Sequence, residues 1–369
     1  MGGAQSPARQ VNSRNRTFHD GTSTSLVTYF SRSGASPYQL LELLSCPGTF
    51  VPPMWLAFYV HHLDPFLVRF YGDIGIRWYG TAYLAGFVAA FFLLKWLARK
   101  GYGPLREAQV ADFVFFAAVF GVLVGGRLGY VLFYRPQMIL HPLEIFQVWD
   151  GGMASHGGIL GLVVFSFIYA RRHHISWTGI GDNLVAVAPL GLMFGRLANF
   201  INGELYGRPT TVPWAMQFPS ELLDPTFPSD KVSAVVAKCE AVIPALSQAV
   251  DPVRAIIAES RTNPQIREVL SQFLTPRHPS QLYEAFLEGL LLFVCLITIR
   301  LRFRQPNGVT TGFFFLLYPT MRIIGEMFRE PDAPLTGPFT RGQFLSLFMF
   351  LVGIAFLVYA FRHRKGSVS

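Results

Sequence analysis

DNLVAVAPLGLMFGRLANFINGE, residues 182–204, is the stretch that decides the fold class. Its apolar part is long enough for a helix that crosses a hydrocarbon core of about 30 Å, which takes about 20 residues. A strand with open edges would leave backbone groups unsatisfied in lipid, so a membrane helix is predicted. Arg196, Asn199 and Glu204 gather towards its end. Because an ionisable group costs about 2.5 to 3.5 kcal/mol at the centre of a membrane, these residues need an explanation.

The composition of the whole chain also indicates a membrane protein. Of its 369 residues, 14% are charged and 51% are hydrophobic, whereas soluble domains contain about 25% charged residues. The cysteines Cys46, Cys239 and Cys295 form no close pair and no metal-ligand spacing, which excludes a disulfide framework and a Cys-based zinc site. We predict no metal ion and no cofactor. We also predict no nucleic-acid partner, because Lys and Arg residues beside membrane spans set the orientation of the spans and thereby account for the net charge of +9.

Six further apolar stretches are comparable with the first one. The seven predicted spans lie near 79–98, 111–133, 157–170, 182–203, 282–299, 310–328 and 343–361. The third span is short, but Asp150 before it and Arg171-Arg172 after it mark its ends. The sequence therefore predicts an all-α polytopic membrane protein with seven transmembrane helices.

Basic residues in the connections predict the orientation of these spans. Those that follow the first, third, fifth and seventh spans are Lys95, Arg99, Lys100, Arg106, Arg171, Arg172, Arg300, Arg302, Arg304, Arg362, Arg364 and Lys365. The short alternate connections contain only Arg135, Arg329 and Arg341. Because cytoplasmic loops carry the excess of Lys and Arg, we expect the N-terminus outside and the C-terminus in the cytoplasm.

Three regions are distinguished along the chain. Residues 1–53 lack a periodic apolar pattern, and we expect a disordered or non-native extension, with the functional chain starting near Met54. Residues 54–361 make up the seven-helix domain, and residues 362–369 make up a basic cytoplasmic tail.

The connection 204–281 is the one long outside segment, and it predicts a small extracytoplasmic head region. Within it, Asp230–Val250 and Pro264–Leu274 have the pattern of short amphipathic helices. Thr262 or Asn263 is the expected cap of the second helix, because Pro264 is favoured in a first helical turn.

Polar residues collect at the predicted outer ends of six spans. In chain order they are Trp78-Tyr79, Gly125-Gly126-Arg127, Ser155 to Gly158, Gly195 to Glu204, Arg277 to Glu284, and Tyr318, Arg322, Glu326 and Arg329. The last four follow the spacing i, i+4, i+8, i+11, and Arg196 and Asn199 are three residues apart, so each set shares one helix face. Arginines with glutamates between them fit a phosphate better than an apolar ligand.

Several of these residues also have a purely structural interpretation. Arg127, beside three glycines, is equally compatible with a snorkelling or paired side chain at a close helix contact. Arg322 with Glu326 fits a structural ion pair, and Tyr79 fits an interfacial aromatic belt. His156 differs, because it stands at the mouth of a span against glycines that let another chain approach, which favours a functional role.

The run GRLANFINGELYGR, residues 195–208, closely resembles the signature of the prolipoprotein diacylglyceryl transferase family. The supporting motifs are Trp149-Asp150-Gly151-Gly152-Met153, His156-Gly157-Gly158, Arg277 to Glu284 and Arg322 to Asp332. These motifs occur in the family's order and cover residues 70 to 361, and seven spans with an outside N-terminus also match the family. The departures are the N-terminal segment and a long connection at 220–275.

The resemblance implies a reaction. The family's enzymes transfer the diacylglyceryl group of phosphatidylglycerol to the lipobox cysteine thiol of a prolipoprotein, form a thioether and release glycerol phosphate. The implied partners are phosphatidylglycerol, prolipoprotein signal peptides with a lipobox cysteine, and membrane lipids. The implied location is the bacterial plasma (inner) membrane, with the site towards the extracytoplasmic leaflet.

The resemblance also implies roles for single residues. The implied catalytic residues are His156, Arg322, Glu326 and Glu204. The residues implied in phosphatidylglycerol binding are Arg196, Asn199, Tyr79, Tyr318 and Gly207. Arg196 and Arg322 would grip the phosphate, and His156 would take the thiol proton. An arginine-first mechanism, in which His156 only orients, stays open.

Two other classes of protein are alternatives. A transporter for an anionic solute would explain intramembrane arginine and glutamate, but it predicts polar positions that continue to the cytoplasmic ends and internal repeats, and neither is evident. A lipid-binding structural protein would need the arginines without a base.

Overall fold

The computed structural model describes residues 58–71, 74–147, 151–302, 305–330 and 341–363. The predictions for residues 1–53 and for the end of the basic tail, residues 364–369, lie outside the described residues. The same holds for Trp149-Asp150, Arg304 and Asp332.

Helices occupy all seven positions that the sequence predicts, and three more lie in the head region. They are α1 Trp78–Arg99, α2 Glu107–Phe133, α3 Ser155–Arg172, α4 Trp177–Asn202, α5 Ser229–Val242, α6 Pro252–Glu259, α7 Pro264–Ser271, α8 Ser280–Arg302, α9 Val309–Glu326 and α10 Arg341–Arg362. Short helical turns at 136–140, 142–145, 219–223 and 244–248 connect them.

Four of the helices, α1, α2, α4 and α8, are long and apolar enough to cross a membrane. Helices α3 and α9 contain 18 residues each, and the apolar part of α10 covers 346–362. Large apolar side chains on α3, such as Ile159, Leu160 and Val163, are exposed. Such a face is expected against lipid and not against water. The prediction of a mostly helical membrane protein is therefore confirmed.

The all-α prediction needs one correction, because the structure also contains four short strands. Strands β2, Phe66–Tyr71, and β3, Ile74–Arg77, form an antiparallel pair directly before α1. Strands β1, Tyr59–Val60, and β4, Met216–Gln217, form a parallel pair. Both pairs precede the first span or lie in the head region, where water or protein satisfies the strand edges.

Glycines set the distance between neighbouring helices. A Cβ atom on Gly129 of α2 would lie 2.6 Å from the Cα atom of Gly157 of α3. On α8, a Cβ atom on Gly289 would lie 2.8 Å from the Cα atom of Met193 of α4. Gly289 belongs to a π-helical turn over Ala285–Leu291. Because π turns displace the residues around them, this turn and its glycine bring α8 close to α4 one turn before Arg196.

The head region has a hydrophobic core of its own. It consists of Val60, Leu222, Val235, Cys239, Leu246, Ile256, Ile266, Leu270 and Leu274. The predicted helix over Asp230–Val250 was too long: α5 ends at Val242, because Pro244 follows and cannot continue an α-helix. The cap of α7 is Asn263, whose side chain accepts a hydrogen bond of 2.9 Å from the Gln265 backbone N–H.

Candidate active site

Helices α4, α8 and α9, together with Arg329 just after the end of α9, contribute six ionisable side chains to one site, which we call the Arg–Glu cluster. Its members are Arg196, Glu284, Glu288, Arg322, Glu326 and Arg329. Arg196 places Nη1 3.1 Å from Glu284 Oε2 and Nη2 3.2 Å from Glu288 Oε2. Glu284 and Glu288 are one helical turn apart, so one guanidinium bridges both.

Arg322 reaches the same two carboxylates from α9. Its Nη1 lies 3.1 Å from Glu284 Oε1 and 3.1 Å from Glu288 Oε1, and its Nη2 donates to Glu326. Arg329 Nη1 adds a contact of 3.3 Å to Glu284 Oε1. Three arginines and three glutamates therefore balance in charge, as a site inside a membrane protein requires.

Burial within the Arg–Glu cluster is unequal. The side chains of Glu284 and Glu288 are completely buried, whereas those of Arg196 and Arg322 are 16% and 14% exposed. The carboxylates thus lie behind the guanidinium groups and hold them in place from one side. Part of each cationic surface stays accessible, so this arrangement suits an anionic ligand that approaches from the accessible side.

A second polar group lies where α1 meets the end of α4. The Tyr79 hydroxyl donates to the Asn199 side-chain oxygen and to the Glu204 carboxylate. Asn199 is buried, and Tyr79 and Glu204 are half-buried. The structure therefore joins Tyr79 and Asn199, both predicted to bind phosphatidylglycerol, with Glu204, which was predicted to be catalytic.

The turn after α4 is fixed by its backbone. Gly203 ends the helix with φ +67°, and Leu205 adopts a φ of +56°, which is unusual for a side chain of that size. The Gln281 side chain donates to the Glu204 carbonyl at 2.7 Å, and Ser280 Oγ donates to the Leu205 carbonyl at 3.1 Å. The first residues of α8 thus hold this strained turn, and Glu204 with it.

Gly207 lies where three segments of the chain meet. Its backbone N–H donates to the His278 carbonyl at 2.9 Å, and it pairs with Arg329 in a β-bridge. A Cβ atom at this position would lie 2.6 Å from the His278 carbonyl oxygen and would also meet the Phe328 carbonyl. Gly207, predicted to bind phosphatidylglycerol, thus makes its close backbone approach to the protein's own chain.

His278 is neighbour to this junction. Its ring packs against Tyr283 and Phe328, and Nδ1 lies 3.3 Å from the Tyr283 hydroxyl. Burial lowers the pKa of His278, so the imidazole is neutral at physiological pH. Arg277, the residue before it, pairs with Glu221 at 2.7 Å and with Glu330 at 2.9 Å. This pairing ties the head region to the end of α9.

Tyr318 and His156 are predicted site residues that, in the part of the chain that the structure describes, make no side-chain hydrogen bond to the Arg–Glu cluster or to the Tyr79 group. Tyr318 lies one turn before Arg322 on α9, and its ring stacks on Phe314 at 5.4 Å. His156 is exposed in the first turn of α3, a helix that does not contribute to the cluster. The structure thus brings together Arg196, Arg322 and Glu326 through Glu284 and Glu288, and His156 is not among the residues that contact them in the described residues.

Sequence reasoning missed the carboxylates at the centre of the site. Glu284 was part of a quoted motif without a role, and neither Glu288 nor a role for Arg329 was predicted. A signal was present, because Glu284 and Glu288 stand four residues apart at the start of an apolar helix. Two acids on one face of a membrane helix need partners, and the inward arginines of α4 and α9 were available.

A separate buried group, the Asp182 cluster, lies at the opposite ends of α4 and α9. It contains Asp182, Asn183, Arg300 and Thr311. Asp182 accepts hydrogen bonds of 2.8 Å from the Gly308 and Thr311 backbone N–H groups, and Arg300 Nη1 lies 3.5 Å away. The carboxylate therefore caps the start of α9, which is a structural role.

A helical membrane protein with a charge-balanced arginine–glutamate site defines the class to which this chain belongs. Comparison with known proteins identifies the family within this class. The profile of the prolipoprotein diacylglyceryl transferase family matches residues 65–359. The chain belongs to this family.

Curated relatives agree with this assignment. A phosphatidylglycerol–prolipoprotein diacylglyceryl transferase of Bdellovibrio bacteriovorus is 40% identical over 329 residues, which cover 81% of this chain and 93% of the relative. Proteins of the same name from Geobacter sulfurreducens and Serratia proteamaculans are each 40% identical, over 83% and 79% of this chain and 98% and 92% of the relatives. The predicted transferase is confirmed, and the transporter alternative is not supported.

Proposed function

We propose that this protein transfers the diacylglyceryl group of phosphatidylglycerol to the lipobox cysteine thiol in the signal peptide of a prolipoprotein. The thiol sulfur attacks the glycerol carbon that carries the phosphate ester, and a carbon–sulfur bond forms as the carbon–oxygen bond breaks. Glycerol phosphate leaves with the electron pair of the broken bond, and the thiol proton passes to a base. The observation that carries the proposal is the Arg–Glu cluster in a chain of this family.

The cluster suits the developing charge of the leaving group. Negative charge grows on the phosphate as the carbon–oxygen bond breaks, so cations fixed beforehand stabilise the transition state more than the ground state. Arg196 and Arg322 are held by Glu284 and Glu288 and keep part of their surface accessible. The phosphate then binds by taking over guanidinium N–H groups that Glu288 holds in the unliganded protein.

The remaining predicted residues complete this assignment. Glu204 and Glu326 orient the cations, and Tyr79 and Asn199, which share a hydrogen bond, contact the head group. Tyr318 and Gly207 stay proposed binding residues. His156 stays the proposed base, because an exposed imidazole at the start of a helix is accessible to a peptide thiol and can accept a proton from it.

The proposed topology is that of seven spans, with the N-terminal side outside and the C-terminus in the cytoplasm. Helices at the seven predicted positions and the twelve-to-three distribution of basic residues support it. The site then faces the extracytoplasmic leaflet of the plasma (inner) membrane, and residues 204–281 form the extracytoplasmic head. Residues 1–53 stay proposed as a dispensable extension and residues 362–369 as a cytoplasmic tail.

Labelling of single cysteines tests the topology. Ser233→Cys in the head region and Lys100→Cys after α1 both place a thiol at an exposed position. A membrane-impermeant maleimide added to intact cells should label Ser233→Cys, and should label Lys100→Cys only after permeabilisation. The reverse pattern would invert the orientation.

A reconstituted assay tests the reaction. Purified full-length protein is incubated with phosphatidylglycerol and a lipobox peptide, and mass spectrometry follows the peptide. We expect a mass increase of one diacylglyceryl group and release of glycerol phosphate. The same peptide with Cys→Ser, and a zwitterionic phospholipid in place of phosphatidylglycerol, are the controls. Movement of an anionic solute across sealed vesicles without thioether product would instead support the transporter alternative.

A further inference from the structure

Arg127 of α2 makes an unusual set of contacts for a charged side chain. The residue is 5% exposed. Its guanidinium donates to the backbone carbonyls of Ile145 at 2.8 Å, Gly151 at 2.5 Å, Gly152 at 3.0 Å, Glu144 at 2.7 Å and Gln147 at 3.0 Å. All five acceptors lie in residues 144–147 and 151–152, which we call the bound segment and whose second part runs into α3.

This geometry excludes Arg127 from ligand binding. A guanidinium group has five N–H donors in a fixed fork, and here five carbonyl oxygens accept from it. None is left for a phosphate. Within the described residues, no carboxylate pairs with Arg127 either. The Arg127 side chain therefore holds the backbone conformation of the residues whose carbonyls it binds.

The bound segment fixes the start of α3. Gly151 and Gly152 have φ values of +81° and +82°, and a Cβ atom on Gly152 would lie 2.9 Å from Arg127 Nη1. Two residues later, the Ala154 backbone N–H donates to the Gly126 carbonyl at 2.9 Å, next to Arg127 in the chain. His156 follows after one more residue.

The other side of His156 is held as well. Gly157 packs directly on α2, where a Cβ atom would lie 2.8 Å from the Gly129 Cα atom. In the sequence, His156 thus lies between residues that Arg127 binds and Gly157, which packs α3 closely against α2. The backbone of His156 is therefore fixed on both sides.

We propose that Arg127 is a positioning residue: it binds backbone carbonyls in residues 144–147 and 151–152 and thereby fixes His156 in the place from which it acts on the thiol. This assignment rests on the proposed function of His156. It explains why the position needs arginine, because lysine has only three donors and no planar fork, and it cannot bind five carbonyls at once.

A double-mutant cycle tests the assignment. Arg127→Lys should lower kcat on the order of 10-fold to 100-fold, because small displacements of a catalytic group have effects of that size. The KM for phosphatidylglycerol should stay nearly unchanged. In a His156→Gln background, Arg127→Lys should have almost no further effect, because the group that it positions is gone. The matched control is Arg135→Lys, at an exposed position just after the same helix, which should leave kcat unchanged.

A second variant covers the case in which Arg127→Lys does not fold. Gly152→Ala displaces the same segment without removing the guanidinium group, and it should reproduce the loss of kcat and the non-additivity with His156→Gln. Losses that multiply in the double variants, or a raised KM with normal kcat, would overturn the assignment. So would normal activity in Arg127→Lys.

A readout independent of activity separates this assignment from the proposed function. In hydrogen exchange, the peptide that covers 151–158 should exchange about 10-fold faster in Arg127→Lys than in the parent protein, whereas the α5 peptide 229–242 should not change. Unchanged exchange at 151–158 would overturn the positioning role even if the assay above gave no product. Absence of product from the parent protein, with faster exchange in the variant, would contradict only the proposed function.

Discussion

Two buried ionic groups occupy the same pair of helices, α4 and α9, and they are built in different ways. In the Asp182 cluster, the carboxylate accepts from two backbone N–H groups and from the Thr311 hydroxyl, and Asp182 is fully buried. In the Arg–Glu cluster, the contacts described above join side chains only, and the arginine side chains keep 14% and 16% of their surface accessible.

The difference in partners indicates whether each cluster can exchange a bound carboxylate for a ligand anion. A carboxylate that backbone donors saturate cannot leave without unfolding the start of α9, so the Asp182 cluster stabilises the fold. Side chains that pair with one another can accept a competing anion with only local movement, so the Arg–Glu cluster can bind a ligand. Ionisable residues in a membrane protein thus divide into structural and functional ones by their partners and not by their burial.

Arginine-to-lysine replacement in each cluster tests this division most strongly. Arg196→Lys keeps the charge and loses the two-pronged contact, and we expect thioether formation to fall about 100-fold, as for loss of one donor to a developing oxyanion. Its thermal unfolding should be close to that of the parent protein. Arg300→Lys should lower the unfolding temperature and leave the activity per folded molecule nearly unchanged.

Turnover and thermal unfolding must both be measured for each detergent-purified variant. The division would be wrong if Arg300→Lys lost turnover as strongly as Arg196→Lys, or if Arg196→Lys failed only by unfolding.

Removal of the central carboxylate of the Asp182 cluster is the second test. Asp182→Ala leaves Arg300 buried without its partner and uncaps α9, and we expect a loss of about 3 kcal/mol in unfolding free energy. Activity of the remaining folded protein should persist. The measurement is thermal unfolding followed by size-exclusion chromatography, with turnover corrected for the folded fraction. If Asp182→Ala were as stable as the parent protein, the Asp182 cluster would not stabilise the fold.

Sequence reasoning reached one half of this picture. The spacing of Arg322 and Glu326 on one face of α9 was readable, because helical periodicity is local. Arg329, predicted on the same face, lies beyond the end of α9 at Glu326 and forms a β-bridge with Gly207. The partner of that face was not readable, because it depends on how far α8 slides along α9. Gly289 and the π turn over Ala285–Leu291 set how closely α8 packs on α4, which fixes α8 in the bundle, and neither has a clear signal in the sequence.

The same limit applies to His156 and Arg127. The motif predicted His156 at the mouth of a span, and His156 lies in the first turn of α3, which starts at Ser155. The five carbonyl contacts of Arg127 come from a loop without periodicity, so local patterns carried no information about them. Local spacing predicted helix faces, and tertiary contacts decided which faces meet.

Neutralisation of Glu288 tests whether the Arg–Glu cluster can exchange one of its own carboxylates for a phosphate. Glu288→Gln keeps the size and removes a charge that competes with the phosphate for Arg196 and Arg322. We expect the KM for phosphatidylglycerol to fall about 5-fold, because uniform binding improves, with kcat changed less. Glu330→Gln, which alters an ion pair of the half-exposed Glu330 outside the cluster, is the control. A raised KM in Glu288→Gln would mean that Glu288 orients the arginines and does not compete.

The smallest effect is expected from two adjacent threonines at the start of α9. Thr311 Oγ1 donates to Asp182 at 2.8 Å, whereas the buried Thr310 hydroxyl has no hydrogen-bond partner in the described residues. Thr311→Val should therefore lower the unfolding free energy by about 1 kcal/mol, the net value of one hydrogen bond. Thr310→Val removes a buried hydroxyl that makes no bond, so it should be neutral or slightly stabilising.

The two variants delete the same atom one residue apart, so effects on helix propensity and on volume cancel between them. Thermal unfolding of both, at equal detergent and lipid content, gives the difference, and turnover should be unchanged in each because neither hydroxyl reaches the Arg–Glu cluster. Equal destabilisation by both would mean that the hydroxyl contact to Asp182 contributes nothing. In that case the carboxylate is held by the Gly308 and Thr311 backbone groups alone, and the Asp182 cluster is still structural.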